Sequence, residues 1–167
     1  MLSARELIAE LNLARHPEGG HFRETYRSSE VARIDIECYG FTSQRNLCTS
    51  IYFLLSSGER SLLHRIKSDE IWNFHQGSSL SIYVFYNDKM SVLKLGSNPS
   101  AGERFQVVVP AGAWFGAIVD LPDSFTLAGC TVSPGFDFED FELAKRSDML
   151  VKYPSFKSEI ELLTKAE

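Results

Sequence analysis

At 167 residues the chain has the length of one ordinary domain, and a second core is not expected. With 44% hydrophobic and 23% charged residues it lies far from disordered composition, and a net charge of -5 without a Lys/Arg cluster argues against a nucleic-acid partner. The longest apolar runs, 51–55 and 107–109, are too short to span a bilayer, and the opening MLSARELIAEL is charged and amphipathic where a signal peptide is apolar. A cytoplasmic protein with no membrane partner is therefore expected.

Ser3 and Glu6 form a capping box, so a helix starts at Ala4 and runs to about 12–14, with Leu7, Ile8 and Leu11 on its packing face. From about 20 to 133 the texture is that of an all-β barrel, short β-rich runs broken by turn residues. The runs are 21–27, 49–55, 61–66, 70–75, 79–86, 90–95, 105–109, 114–119 and 125–132. Residues 28–48 are polar and read as an excursion near one end of the barrel, of the kind that covers a site. After Pro134-Gly135 the apolar residues Phe138, Phe141, Leu143, Ile160, Leu162 and Leu163 suggest a helical segment over about 138–165. The whole chain, 1–167, is expected to form one domain. Cys38, Cys48 and Cys130 show no Cys-x-x-Cys spacing; free thiols are expected, with a Cys38–Cys48 bridge as the alternative.

The most specific pattern is Gly58-(5 residues)-His64-x-Ile66-(3 residues)-Glu70-(6 residues)-Gly77. It resembles the first cupin motif, with Ile66 in place of the second metal-binding His. Pro110-x-Gly112-x-x-Phe115 resembles the second motif, with Phe115 where the last metal-binding His would stand and Gly102 two residues too far upstream. The resemblance implies an all-β double-stranded β-helix, or jelly-roll barrel, with flanking N- and C-terminal helices. It implies the metal less firmly.

Strand alternation gives a separate account of the first motif. With Lys67, Ser68 and Asp69 as a three-residue hairpin loop, Ile66 lies opposite Glu70, His64 lies opposite Trp72, and all four face the interior. His64 and Glu70 are then candidate catalytic residues that share a proton, or a structural pair that only satisfies itself. No cofactor is expected. A divalent metal would have to use His64 and Glu70, a pair short of the usual three or four ligands, with His21 as the candidate to complete it.

A second informative stretch is Arg15-His16-Pro17-Glu18-Gly19-Gly20-His21-Phe22-Arg23-Glu24-Thr25-Tyr26-Arg27-Ser28. With the segments 50–55, 69–75 and 129–138, it looks like an uncharacterised single-domain branch of the cupin superfamily, from about Leu13 to Pro154. The resemblance implies a homodimer of undetermined activity with a polar pocket, structurally akin to deoxysugar epimerases and to seed-storage and hormone-binding cupins. Exposed barrel edges independently favour the homodimer. Gly20-His21-Phe22-Arg23-Glu24 loosely matches the substrate strand of the epimerases. His21, Arg23, Glu24 and Tyr26 are accordingly candidate ligand-binding residues, although Arg23 and Glu24 face opposite ways on a regular strand and surface ion pairs are an alternative role. Tyr52, Trp72, Phe74 and Phe115 join them, with His75 as a minor candidate that faces outward unless a bulge re-aims it. His16 reads as a turn residue and Cys130 as a buried small hydrophobe. Two functions follow: a protein binding a small polar metabolite in the barrel, or an isomerase or epimerase of a sugar or sugar-nucleotide-like substrate. A metal-dependent enzyme comes third.

Overall fold

The computed structural model describes residues 2–36 and 41–166. In chain order these form α1 (Ala4–Glu10), β1 (Ala14–Arg15), β2 (His21–Arg27), β3 (Val31–Ile36), β4 (Phe41–Asn46), β5 (Thr49–Ser56), β6 (Ser61–Arg65) and β7 (Asp69–Gly77). There follow β8 (Leu80–Tyr86), β9 (Lys89–Leu95), β10 (Gln106–Val109), β11 (Trp114–Val119), β12 (Phe125–Ser133), β13 (Glu142–Leu143), α2 (Arg146–Lys152) and α3 (Lys157–Leu163). The capping box is present, with Ser3 N–H donating to Glu6 Oε2 at 2.8 Å and Glu6 N–H donating to Ser3 Oγ at 3.3 Å. The helix stops at Glu10, earlier than its apolar spacing suggests, and Asn12 has a positive φ of 53°.

Two antiparallel sheets face each other, as in a jelly-roll barrel. One has the order β1-β2-β5-β12-β7-β10 and the other β13-β6-β11-β8-β9. Between them lies the main core, which includes Phe53, Leu55, Trp72, Ile82, Val84 and Phe115. Each such fully buried side chain contributes about 1.5–3 kcal/mol of transfer free energy. Several strands are apolar on both faces because helices cover the outside of the sheets. In β5, Phe53 and Leu55 point inward while Leu54 packs beneath Leu7 and Leu13 of the N-terminal segment. On the other sheet Leu63, Phe85 and Trp114 meet Met149, Ile160 and Leu163 of α2 and α3.

Three expectations need correction. First, β6 and β7 do not form a hairpin. β6 pairs with β11 and β13, whereas β7 pairs with β12 and β10, so residues 66–68 cross between the sheets. Asp69 holds this corner by accepting the Ala111 N–H at 2.8 Å. His64 therefore lies opposite Phe115 and Leu143, and Glu70 opposite Val109 and Val132. Second, residues 138–144 are not helical: a 3-10 turn, Phe138–Asp140, leads into β13. Their apolar side chains belong to the barrel mouth and follow no helix face. Third, the excursion over 28–48 contains the β3–β4 hairpin, paired from Val31↔Asn46 to Ile36↔Phe41. Cys38 lies outside the described residues, so the Cys38–Cys48 alternative does too. Among the described residues Cys48 and Cys130 form no disulfide.

Candidate functional site

The acidic partner of His64 comes from the turn before β2. His16 N–H donates to the Gly20 carbonyl at 3.1 Å and Gly19 N–H to the His16 carbonyl at 3.0 Å, closing a tight turn whose Glu18 carbonyl accepts from Leu62 N–H at 2.8 Å. This docks the turn on the start of β6 and sends the Glu18 side chain into the barrel. Glu18 Oε2 lies 3.0 Å from His64 Nε2 and 3.4 Å from His16 Nδ1, and Ser61 Oγ–H donates to Glu18 Oε1 at 2.8 Å. All of these side chains are buried.

Gly19 makes the docking possible. It has φ +115°, and a Cβ there would overlap the Arg60 carbonyl oxygen. Gly58 also has a positive φ, +83°, but open space around it. Gly58→Ala should therefore cost about 1–2 kcal/mol through backbone strain alone. Gly19→Ala should cost clearly more, because clash adds to strain. Urea unfolding of the two variants checks this, and equal losses would show that the turn can shift away from β6 freely.

The proton on the buried pair can be located by its hydrogen bonds. His64 Nδ1 is 2.7 Å from the Leu62 carbonyl, which only accepts, so Nδ1 carries a hydrogen. Nε2 facing Glu18 Oε2 then requires one further proton for the pair, on either the carboxyl or the ring. Burial drives the Glu18 pKa well up, helped by the nearby Glu70 carboxylate, and burial drives His64 down to about 3. Both shifts place the proton on Glu18, which donates to a neutral imidazole.

Glu70 enters from the opposite sheet and lines the same cavity as Glu18, His64 and Trp72. Desolvation raises its pKa to about 7, moderated by the adjacent Trp72 indole and Cys130 thiol. Among the described residues Glu70 has no ion-pair partner. The Trp72 Nε1–H stands beside its carboxyl yet completes no hydrogen bond of ordinary geometry. Cys130 is 1% exposed, and burial with both carboxylates close by pushes its thiol far up, so it is no nucleophile at neutral pH.

The enclosed space is about 40 Å³, and the rest of its wall is mostly apolar, with Phe22, Ile51, Phe53 and Ile66 beside the polar His16 and Thr49. Its mouth is covered by the segment after β12. Phe136 and Phe141 line the cavity, and Phe141 sits 5.4 Å from the His64 ring and 5.9 Å from that of His16. Two arginines hold this cover. Arg27 donates to the Phe136 carbonyl at 3.2 Å, and Arg45 of β4 makes a two-pronged contact with Asp140 at 2.8 and 3.0 Å.

Of the residues expected at a site, His64, Glu70 and Trp72 line the cavity. The others do not. His21 and Arg23 pair with Leu54 and Tyr52, whose side chains pack on the outer face, and Arg23 donates to the Leu11 carbonyl at 3.1 Å. Tyr52 lies there too, 5.8 Å from the ring of His75. A bulge leaves His75 without a partner on β12, but its side chain stays on the exposed outer side. Glu24 is engaged with Arg27 at 2.7 Å on the surface, and Tyr26 is 54% exposed. Phe74 and Phe115 pack in the core outside the cavity lining, Phe115 with its ring 4.1 Å from that of His64.

The residues present do not fit a metal ion. Ile66 and Phe115 replace two ligands with buried apolar side chains, His21 faces away, and Glu18 Oε2 is already taken up by His64. Among the described residues no group of three His, Cys, Asp or Glu could hold a metal. His16, Glu18 and Cys130 are site residues that sequence reasoning passed over. The available signal was the Gly19-Gly20 pair directly behind Glu18, which marks a backbone pressed against a neighbour.

Residues 5–144 match the family model described as Cupin superfamily (DUF985). An uncharacterised Saccharomyces cerevisiae protein, YML079W, is 32% identical over 158 residues, covering 89% of this chain and 78% of its own. The crystal structure of protein SO0799 from Shewanella oneidensis is 42% identical, with a TM-score of 0.88 over the full length of both chains. A hypothetical protein from Leishmania major has a TM-score of 0.91 at 32% identity, covering 99% of this chain and 100% of its own. With the barrel and its inward-facing His64 and Glu70 in place, these likenesses assign the chain to the DUF985 family of the cupin superfamily.

Proposed function

We propose that the barrel binds a small polar molecule in the cavity at Glu18, His64 and Glu70. One observation carries this reading: three buried ionisable groups surround free volume instead of being packed shut. Burying carboxyls and an imidazole is unfavourable, and an apolar core of the same shape would be more stable. The enclosed volume suits a compound of a few heavy atoms better than a sugar nucleotide. Among the described residues the lining also holds no Arg or Lys to receive a diphosphate, and Arg23, which could have done so, is on the outer face.

Isomerisation by proton transfer is the second reading, favoured by Glu70 titrating at about 7 beside a pair that shares one proton. An acid and a base are then both available near neutral pH.

Native mass spectrometry of the purified chain, followed by a thermal-shift panel of small uncharged, cationic and anionic compounds, tests the binding reading. Glu70→Gln should leave the fold intact and weaken the best binder tenfold or more, about 1.4 kcal/mol. A lowered melting temperature with affinity unchanged would reduce Glu70 to a structural role. Failure of every compound to bind would overturn the proposal.

A further inference from the structure

Two carboxyl groups, Glu18 and Glu70, line the cavity, and among the described residues no Arg or Lys does. The imidazoles of His16 and His64 are the other basic groups, and burial holds both neutral. Two carboxylates in one desolvated space repel each other, and only a counter-charge from outside the chain would let both ionise cheaply. The remaining walls include Phe22, Phe53, Trp72, Phe136 and Phe141. Aromatic walls favour a cation over an anion, since ring faces carry partial negative charge. A separate feature points to a ligand: Trp72, 1% exposed, keeps an indole N–H without a completed hydrogen bond at the cavity. The Glu70 carboxyl stands beside that donor, and once this carboxylate turns to a cation the indole N–H needs an oxygen acceptor on whatever fills the space.

We infer that the ligand of this cavity is a small organic cation with an oxygen acceptor, of the amino-alcohol class, its ammonium received by Glu18 and Glu70 and its oxygen by Trp72. This rests on the cavity-binding reading and narrows it. On binding, one acidic proton leaves to solvent and the ammonium takes its place as the neutralising charge, while the other carboxyl keeps its proton. Phe136 and Phe141 line the same cavity as the two carboxyls, and apolar walls strengthen a carboxylate–ammonium contact.

Calorimetric titration of the full chain tests the class with four probes: ethanolamine, choline, the uncharged carbon analogue of choline (3,3-dimethylbutan-1-ol), and pivalate. The tighter-binding of the two cations should exceed the uncharged alcohol at least tenfold, and pivalate should bind more weakly than either. Glu70→Gln and Glu18→Gln should each remove at least tenfold of the cation affinity and leave the alcohol within about twofold. The wild-type ratio decides by itself where a variant does not fold. An alcohol or pivalate that matches the cations would overturn the cation class while leaving the cavity reading standing. Cation binding that neither variant weakens would place the ligand elsewhere and overturn it as well. If none of the four probes binds, but other uncharged compounds do, the cation class falls; if nothing binds at all, both readings fall together.

Discussion

Arg45→Ala is expected to lower the unfolding free energy by about 3–5 kcal/mol, a large fraction of what a domain of this size possesses. The Arg45 and Asp140 side chains are only 8% and 5% exposed. Two parallel hydrogen bonds of 2.8 and 3.0 Å join them, and Glu139 adds a contact at 3.2 Å. Removing the guanidinium leaves a buried carboxylate, and this uncompensated charge makes the change costly. Lys67 Nζ, 3.5 Å from Asp140, is 39% exposed and softens the loss without replacing the planar fork, so the lower end of the range is expected. Arg45→Lys should recover part of it. The double variant Arg45→Met with Asp140→Leu should come back close to wild type, since apolar packing replaces both charges at once. Urea unfolding measures all three, and a loss below about 1 kcal/mol for Arg45→Ala would show that the contact is solvated and weak.

The same contact explains why part of the site was hidden in the sequence. Alternation of apolar residues marked nine strands, and the structure places them within a residue or two, because each of those strands has at least one face in a core. The β3–β4 hairpin has no such requirement. It forms a two-stranded sheet of its own and reaches the rest of the chain through contacts such as Arg45 with Asp140. The two-residue strands β1 and β13 are too short to show any period.

The site divides in the same way. Alternation correctly turned His64, Glu70 and Trp72 inward, since facing is a local property of a strand. It could not say which sheet each strand would join. With β6 and β7 in different sheets, Glu70 reaches the cavity from the far side, and the partner of His64 is a residue 46 positions earlier, on a turn. Contacts that close only when a loop docks against a distant strand leave no periodic trace. The three arginines in question, Arg23, Arg27 and Arg45, differ in function for the same reason: Arg23 bonds the helix side, while Arg27 and Arg45 hold the cover of the mouth.

The buried groups also set a pH profile whose shape can be counted in protons. Between about pH 4.5 and 6.5 the unfolded chain carries both imidazoles protonated and both carboxylates ionised, two protons on these four groups. The folded chain also carries two: one on the Glu18–His64 pair and one on Glu70, whose pKa is about 7, with His16 neutral because burial lowers it to about 4. Stability should be flat across that window. Above 6.5 the unfolded imidazoles lose their protons while Glu18 keeps its own and Glu70 gives its own up only around pH 7, so raised folded pKa values make stability fall as pH rises. The loss is roughly 1.4 kcal/mol per pH unit for each proton, or about 2 kcal/mol from pH 6.5 to 8. Below 4.5 the unfolded carboxylates take up protons that the folded imidazoles resist, so depressed His16 and His64 values make stability fall as pH drops. Glu70→Gln gives the sharpest check, since it removes one raised carboxyl and leaves His16 uncompensated. Its stability should rise from pH 4.5 to 6.5 where the wild type is flat, and subtracting the two profiles cancels the charge effects common to both. Urea unfolding at intervals of half a pH unit measures the difference, and parallel profiles would mean that Glu70 titrates in the folded protein as it does in water.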